Sequence, residues 1–162
     1  VFRQFLKTRS EELNLVKFEQ KGLDSLTQAT ELYEFGSIQI KKRLYSEATK
    51  TFLKAIENYE NESDEAKAII NNALGFSYAA QNEFQKAIKH YNSAIKSLPE
   101  YPIALNNLAS AQQRLLDYDL AYATYQKVLV IDPKNRTAIK KSKELEKRNN
   151  YKPYKGIKDK GF

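Results

Sequence analysis

Few residues in this sequence are of the types that carry catalysis or bind metals. His90 is the one histidine among the 162 residues and cysteine is absent, which excludes a disulfide framework, a thiolate nucleophile and a zinc-finger site. We expect His90 to be a solvated imidazole on the outer side of a helix, with no Ser/His/Asp triad around it. The adjacent carboxylates Glu11 with Glu12 and Asp64 with Glu65 are typical of helix starts, and no glycine-rich phosphate loop is present. We therefore predict no enzymatic activity, no metal, no cofactor and no small-molecule substrate, and expect the chain to act by binding.

The formal net charge of +7 is concentrated at the C-terminal end of the chain. Residues 133–162 contain 11 Lys+Arg and 3 Asp+Glu, whereas residues 1–132 contain 16 and 17. Residues 150–162 interleave cations with aromatics, a pattern that can contact phosphates and stack on bases. The same pattern also suits a solvated tail or one on a membrane surface, which is the interpretation we favour over nucleic-acid binding.

Small and aromatic residues recur along the chain with a period of about 34 residues. Gly75 is followed 34 residues later by Ala109 and preceded 39 residues earlier by Gly36. A fixed period of this length is typical of a helical repeat array, in which each unit is a pair of helices. The other matched columns are Ala48, Ala87 and Ala121; Tyr45, Phe84 and Tyr118; Phe52, Tyr91 and Tyr125; Ala55, Ala94 and Val128; and Pro99 with Pro133.

These columns are expected to hold the paired helices together. Small residues in two columns predict the positions where two helices cross closely: Gly36, Gly75 and Ala109 in one, and Ala48, Ala87 and Ala121 in the other. A larger side chain at such a position would overpack the crossing, which typically costs about 1–3 kcal/mol. The aromatic columns are expected to fill the core between helices, and we do not interpret them as a cofactor site.

The same columns resemble the tetratricopeptide repeat (TPR) family over about residues 29–135. The large aromatic residue usual in the first helix of that family is replaced here by Leu32, Asn71 and Leu105. Gln39 and Gln112 occupy a column in which only Tyr78 keeps the aromatic. The resemblance implies an all-α solenoid of three helix-turn-helix repeats with an N-terminal helix and a C-terminal capping helix.

We divide the chain on this basis into 1–28 (N-terminal helix and linker, expected to lie next to a membrane), repeats at 29–62, 68–101 and 102–135, a capping helix at 136–149, and a basic tail at 150–162. Ser25 and Gln28 have the spacing of a capping box, so the helix of the first repeat is expected to begin before residue 29. Asp132 and Pro133 are expected to cap and open the last helix.

The resemblance also implies that the first helix of each repeat lines a concave groove. Its lining would mix amides, hydroxyls, apolar groups and cations, a surface that can bind an extended peptide or a helix. Apolar residues that are exposed in a groove are usually buried by a binding partner. The apolar members of this lining therefore argue against a surface that contacts only solvent. The predicted groove residues are Thr30, Tyr33, Ser37, Ile40, Lys41, Ile69, Asn72, Phe76, Ala79, Ala80, Ile103, Asn106, Ser110, Gln113 and Arg114.

One TPR subclass grips a C-terminal carboxylate with a lysine–asparagine clamp. Tyr33, Ser37 and Ala73 stand at the clamp positions in this sequence. We therefore do not expect chaperone tails to be bound in that way.

The N-terminal residues and the composition point to a more specific resemblance. The sequence begins at Val1 and contains no methionine, and residues 2–9 mix aromatics with cations, which suits a membrane boundary or an ordinary amphipathic helix on the first repeat. Lysine, asparagine, isoleucine and tyrosine, which have AT-rich codons, are frequent. Together with three repeats and a basic tail, these features resemble the thylakoid-anchored TPR assembly factors of photosystem I in plastids and cyanobacteria.

This resemblance implies a membrane anchor upstream of Val1 and repeats on the stromal or cytoplasmic side of the thylakoid. Protein partners would then be photosystem I subunits or assembly intermediates. Two alternatives stay open: a general TPR adaptor of a bacterium or organelle unrelated to photosynthesis, and an RNA-associated TPR protein that uses its basic tail.

Overall fold

The computed structural model describes residues 2–23, 26–59 and 61–149, with side chains for this part except at residues 2–8, 11 and 149. The basic tail predicted at 150–162 and the side chains of the aromatic–cationic start at 2–8 lie outside the described residues. The described part consists of helices and the turns between them. The helices are α1 (Phe2–Lys21), α2 (Ala29–Lys41), α3 (Tyr45–Glu57), α4 (Asp64–Ala80), α5 (Phe84–Ser97), α6 (Pro102–Arg114), α7 (Tyr118–Ile131) and α8 (Arg136–Asn149).

The helices pack in the order in which they occur along the chain. Helices α2 and α3, α4 and α5, and α6 and α7 form the three pairs, and each second helix also packs on the first helix of the next unit, α8 included. A chain in which each unit contacts only its neighbours is a solenoid. The predicted all-α array of helix-turn-helix repeats is therefore confirmed.

Small residues face buried aromatic rings inside each pair. Phe52, Tyr91 and Tyr125 are almost fully buried. A Cβ atom added to Gly36 would lie 2.6 Å from the Phe52 ring, and one added to Gly75 would lie 2.6 Å from the Tyr91 ring. The predicted role of these columns in close helix packing is confirmed.

The second aromatic column lies between repeats and not inside the core, contrary to our expectation. Its members Tyr45, Phe84 and Tyr118 are half-buried. Each contacts a side chain on the first helix of the next unit. The ring of Tyr45 meets Phe76 edge-on at 6.4 Å between centroids, and the guanidinium groups of Arg114 and Arg148 lie 4.7 Å and 4.3 Å from the ring centroids of Phe84 and Tyr118.

The turn inside each repeat repeats its backbone conformation. One column of the repeat holds Arg43, Asn82 and Leu116, whose φ values are 61°, 63° and 67°. These values lie in the left-handed region of the backbone, which residues other than glycine and asparagine rarely adopt. The N–H of the next residue then donates to a carbonyl near the end of the preceding helix, at 2.9–3.0 Å. These bonds close each helix end and set the two helices of a repeat antiparallel.

The helix of the first repeat begins later than the capping-box spacing predicted. Helix α2 begins at Ala29, with Gln28 in extended conformation before it; Ser25 lies outside the described residues. Tertiary contacts hold this stretch extended, because Leu26 is fully buried and the Thr27 carbonyl accepts a bond from the Asn58 side chain at 2.9 Å.

The prediction that Asp132 and Pro133 begin the last helix was wrong. The Asn135 side-chain oxygen accepts the N–H of Ala138 at 3.1 Å and so caps α8. The Asp132 carboxylate instead accepts the N–H of Lys134 and the side-chain amide of Asn135, at 3.2 Å and 3.1 Å. Asp132 therefore stabilises the turn that presents the cap.

Helix α1 packs on the first repeat through one end of the helix. Phe18 lies 5.3 Å from Phe35 between ring centroids, while Leu13 and Val16 are exposed. Within the described ranges, no helix combines the length and the hydropathy needed to span a bilayer.

Candidate protein-binding surface

Two hollows open along the first helices of the repeats, on the face that the TPR resemblance implies is concave and that we call the concave face. The first, which we call the Phe76 hollow, has a volume of about 250 Å³ and lies between α4 and α6. Apolar side chains form most of its wall, and the Phe76 side chain is 41% exposed. Its lining residues are Phe76, Ala79, Ala80, Phe84, Tyr91, Asn107, Ser110, Ala111 and Arg114.

The second hollow lies one repeat further along, between α6 and α8, and we call it the Ile103 hollow. Its volume is about 350 Å³. It is more polar than the first, although the Ile103 side chain is 59% exposed at its edge. Its lining residues are Ile103, Asn106, Asn107, Ser110, Tyr125, Thr137 and Lys141.

The two hollows are adjacent, and equivalent positions of successive repeats contribute to both. Asn107 and Ser110 line both, and each hollow includes the tyrosine of one aromatic column, Tyr91 or Tyr125. Burial raises the pKa of both tyrosines, to about 12 for Tyr125, where the Glu144 carboxylate adds to the effect. The phenols therefore stay neutral at physiological pH.

Asparagine side chains connect neighbouring first helices beneath this surface. The Asn107 amide donates to the Asn72 side-chain oxygen at 2.9 Å, and the Asn106 amide donates to Asn135 at 3.1 Å. The Asn106 side-chain oxygen is buried and has no hydrogen-bond partner within the described part of the chain. A buried acceptor of this kind costs about 1–3 kcal/mol while it stays unpaired.

Each hollow is lined by one cationic side chain, and the one at the Ile103 hollow is paired with a carboxylate. Arg114 is the one charged residue that lines the Phe76 hollow, and Lys141 is the one that lines the Ile103 hollow. The Lys141 ammonium lies 2.8 Å from a Glu144 carboxylate oxygen, while Arg114 stacks on the Phe84 ring. The surface therefore favours a partner segment that carries carboxylates beside apolar side chains.

The structure brings part of the predicted groove together. The predicted residues that line a hollow are Phe76, Ala79, Ala80, Ile103, Asn106, Ser110 and Arg114. Asn72 acts beneath the surface, where it holds Asn107. The predicted residues that line neither hollow are Thr30, Tyr33, Ser37, Ile40, Lys41, Ile69 and Gln113. Tyr33 packs on Phe52 at 6.2 Å between centroids, and Ile40 packs on the core of the first repeat.

Sequence reasoning missed the part of this surface that α8 supplies. Thr137 and Lys141 follow Ile103 and Asn107 by 34 residues, so α8 continues the register of the first helices. The repeat period could have found them if it had been extended past residue 135. Asn107 was also missed, although it neighbours the predicted Asn106.

His90 is a packing residue and not the solvated side chain that we expected. Its ring stacks on Tyr78 with centroids 5.5 Å apart, and Nδ1 lies 3.2 Å from the side-chain oxygen of Asn71. Burial, with a smaller contribution from Lys89, lowers the pKa of His90. Among the described residues, no group of three His, Cys, Asp or Glu side chains could hold a metal ion.

Comparison with known proteins agrees with this architecture. Family profiles described as "TPR repeat" and "Tetratricopeptide repeat" match residues 75–115 and 104–138. The protein ycf37 of Cyanophora paradoxa is 33% identical over 146 residues, which cover 90% of this chain and 84% of that protein. The chain belongs to the ycf37 family of tetratricopeptide-repeat proteins.

Two further TPR relatives extend the comparison. The chloroplastic TPR protein PYG7 of Arabidopsis thaliana is 32% identical over 97% of this chain, which spans only 51% of the length of PYG7. A shorter match, 31% identical over 40% of this chain and 36% of the relative, is to the photosystem I assembly protein Ycf3 of Rippkaea orientalis.

Solved TPR structures have the same fold. The first TPR of Spaghetti, solved with a bound HSP90 peptide, superposes with a TM-score of 0.70 at 20% identity, over 76% of this chain and 94% of that one. TPR domains bind protein partners, and this ycf37-family chain is a TPR protein-interaction domain.

Proposed function

We propose that this chain is a non-enzymatic scaffold that helps photosystem I subunits to assemble on the stromal or cytoplasmic side of a thylakoid membrane. Its similarity to chloroplastic PYG7 extends over nearly the whole chain, and Ycf3, to which part of the chain is similar, is named as a photosystem I assembly protein. These relatives support the plastid or cyanobacterial location and the partner class.

The observation that carries partner binding is the pair of hollows on the concave face. An apolar side chain of the partner would enter the Phe76 hollow, where full burial contributes about 1.5–3 kcal/mol. Polar groups of the partner would meet the Asn106 side chain at the Ile103 hollow, and a partner carboxylate would face Arg114. A few such anchors give reversible binding, which suits a factor that must release its subunit after assembly.

The partner contact is expected to differ from that of TPR domains that hold chaperone tails. With Tyr33, Ser37 and Ala73 at the clamp positions, the first two repeats lack the charged grip on a terminal carboxylate. The hollows lie further along, between α4 and α8. An internal segment of a subunit is therefore the expected ligand.

Affinity capture from thylakoid membranes tests this proposal. The tagged 162-residue chain and the double variant Phe76→Ala with Asn106→Ala would be incubated with mildly solubilised thylakoids, and the bound proteins quantified by mass spectrometry. Loss of two anchors of about 1–2 kcal/mol each predicts that recovery of photosystem I subunits falls by roughly tenfold or more. Leu120→Ala is the matched control, because Leu120 is exposed and lines neither hollow.

The possible results separate the alternatives. Recovery of photosystem I subunits that is undiminished in the double variant would reject the concave face as the binding surface. A bound fraction without photosystem I subunits would favour a general adaptor, and predominant recovery of RNA would favour the RNA-associated alternative. Thermal melting of both variants, followed by circular dichroism, checks that they remain folded.

A further inference from the structure

A third hollow lies in the valley between the second helices α5 and α7, on the side that we call the convex face. Leu105 and Leu108 of α6 form its floor, and its volume is about 410 Å³. Both leucines are almost fully buried, whereas Val130 on the α7 side is 83% exposed. Six of the nine residues that line this valley are apolar. Apolar walls beside a nearly fully exposed valine make this valley a candidate interaction site.

One residue that lines the valley differs in type between the second and third repeats. Thr124 lines it, and the column that contains Thr124 is occupied by the larger His90 one repeat earlier. The Thr124 hydroxyl donates to Gln112 at 2.9 Å, so its short side chain is held against its own helix pair. The ring of His90 instead reaches Asn71, in the column of Leu105.

Positive charge borders the valley. Helix α5 contains no carboxylate, and α7 contains none after Asp119 in its first turn. Lys127 lines the valley, is exposed and makes no ion pair within the part of the chain that is described. Glu100 and Asp132 follow at one end, where both carboxylate oxygens of Asp132 are already hydrogen-bonded. The middle of the valley therefore combines apolar walls with the unneutralised ammonium group of Lys127.

We propose that this valley is a second docking site, which binds an acidic amphipathic helix of a protein partner. Leucine-like side chains of that helix would rest on Leu105 and Leu108 between Ile95 and Val130, as in other helix-in-groove complexes. A glutamate or aspartate side chain beside them would face Lys127. A bilayer surface fits less well, because a flat surface cannot reach a floor of buried leucines. The inference does not depend on the function proposed for the concave face.

Two designed peptides test the proposal on the 162-residue chain. Both have leucines at alternating three- and four-residue steps; the other positions are glutamate in one peptide and lysine in the matched control. Fluorescence anisotropy at low salt is expected to show the glutamate peptide binding roughly tenfold or more tightly than the lysine peptide. Amide shift changes in two-dimensional NMR spectra are expected around Ile95, Val130 and Ile131.

Single variants locate the site. Lys127→Glu and Val130→Glu are each expected to weaken glutamate-peptide binding by about tenfold, since they place like charge in its path. Position 130 tolerates a charged residue, because Lys96 occupies the same column one repeat earlier. Leu120→Glu on the same helix is the control, and it is expected to leave binding within about twofold because Leu120 does not line the valley.

Several results would overturn the inference. Equal binding of the two peptides would remove the charge argument, and shift changes confined to Phe76 and Asn106 would place the peptide on the concave face. The Phe76→Ala, Asn106→Ala variant is expected to bind the glutamate peptide normally, so the two surfaces can fail independently. A dimer of the chain that Val130→Glu abolishes, or binding to phosphatidylglycerol vesicles that this variant abolishes while the peptide does not bind, would assign the valley to another occupant.

Discussion

At the residue scale, two columns of the repeat change together. In the first and third repeats a threonine hydroxyl donates to a glutamine side chain, at 2.8 Å and 2.9 Å. In the second repeat the same two positions hold a histidine stacked on a tyrosine. The three pairs are Thr51 with Gln39, His90 with Tyr78, and Thr124 with Gln112.

Asn71 completes the exchange in the second repeat. It replaces the leucine found at positions 32 and 105, and its amide donates to the Lys67 carbonyl at 3.0 Å. Because the Asn71 oxygen only accepts, the nearby His90 Nδ1 must carry a proton. The sequence showed that Asn71 departs from the family pattern, but it did not show that Asn71 contacts His90, because that depends on how α4 packs against α5.

The buried position of His90 predicts a pH dependence of stability. Its pKa is lowered in the folded state, mainly by burial, while the unfolded chain has the ordinary value of about 6.5. Between these values the unfolded state binds more protons. The free energy of unfolding is therefore expected to fall as the pH is lowered through about 6.5, and to level off below the folded pKa. Urea titrations at several pH values between about 8 and about 5.5 measure this change.

The matched control replaces the second-repeat set with the residues found in the flanking repeats. The triple variant Asn71→Leu, Tyr78→Gln, His90→Thr has no imidazole and is expected to lose this pH dependence while keeping the fold. An equally steep decrease in the triple variant would show that other groups are responsible.

At the element scale, the repeat period predicted which segments are helices and which residues hold them together. Helix ends were less predictable, because tertiary contacts decide them. Leu26 is buried and keeps the chain extended where a capping box favoured helix, and Asn135 caps α8 in place of Asp132. The half-buried aromatics Tyr45 and Phe84 were expected in the core, but they pack between repeats. The 34-residue period of the sequence is the same for contacts within a repeat and between repeats, so it could not distinguish the two.

The close approach of α4 and α5 predicts whether Gly75→Ala raises or lowers the free energy of unfolding. Glycine to alanine inside a helix ordinarily stabilises by about 1 kcal/mol through helix propensity. At Gly75 the added Cβ would lie 2.6 Å from the Tyr91 ring and 3.1 Å from the Ala87 carbonyl oxygen, and overpacking costs about 1–3 kcal/mol. Gly75→Ala is therefore expected to lower the free energy of unfolding by up to about 2 kcal/mol, as measured by urea denaturation.

Gly36→Ala tests the same argument in the first repeat, where the added Cβ would meet the Phe52 ring. Ala109→Gly is the reverse change in the third repeat and is expected to destabilise through lost propensity and a small void. A stabilised Gly75→Ala variant would mean that the two helices separate without cost at this point.

At the scale of the whole molecule, we propose two different binding surfaces on the solenoid. The TPR resemblance predicted half of the residues that line the two hollows along the first helices. It could not predict the unpartnered Asn106 oxygen, because that depends on how α8 is placed against α6, whereas Lys141 was missed because the repeat period was not extended past residue 135. The convex valley was not predicted, since it depends on which side chains leave space between α5 and α7.

Site-specific photo-crosslinking in thylakoids would test the central claim, that the concave face binds photosystem I subunits, most directly. A benzophenone amino acid would replace Ile103 at the edge of the Ile103 hollow, or Leu120 on the convex side as the control; both side chains are exposed. If the concave face binds photosystem I subunits, illumination is expected to link position 103, and not position 120, to one of them. Crosslinks to photosystem I subunits from position 120 alone, or from neither position, would contradict it.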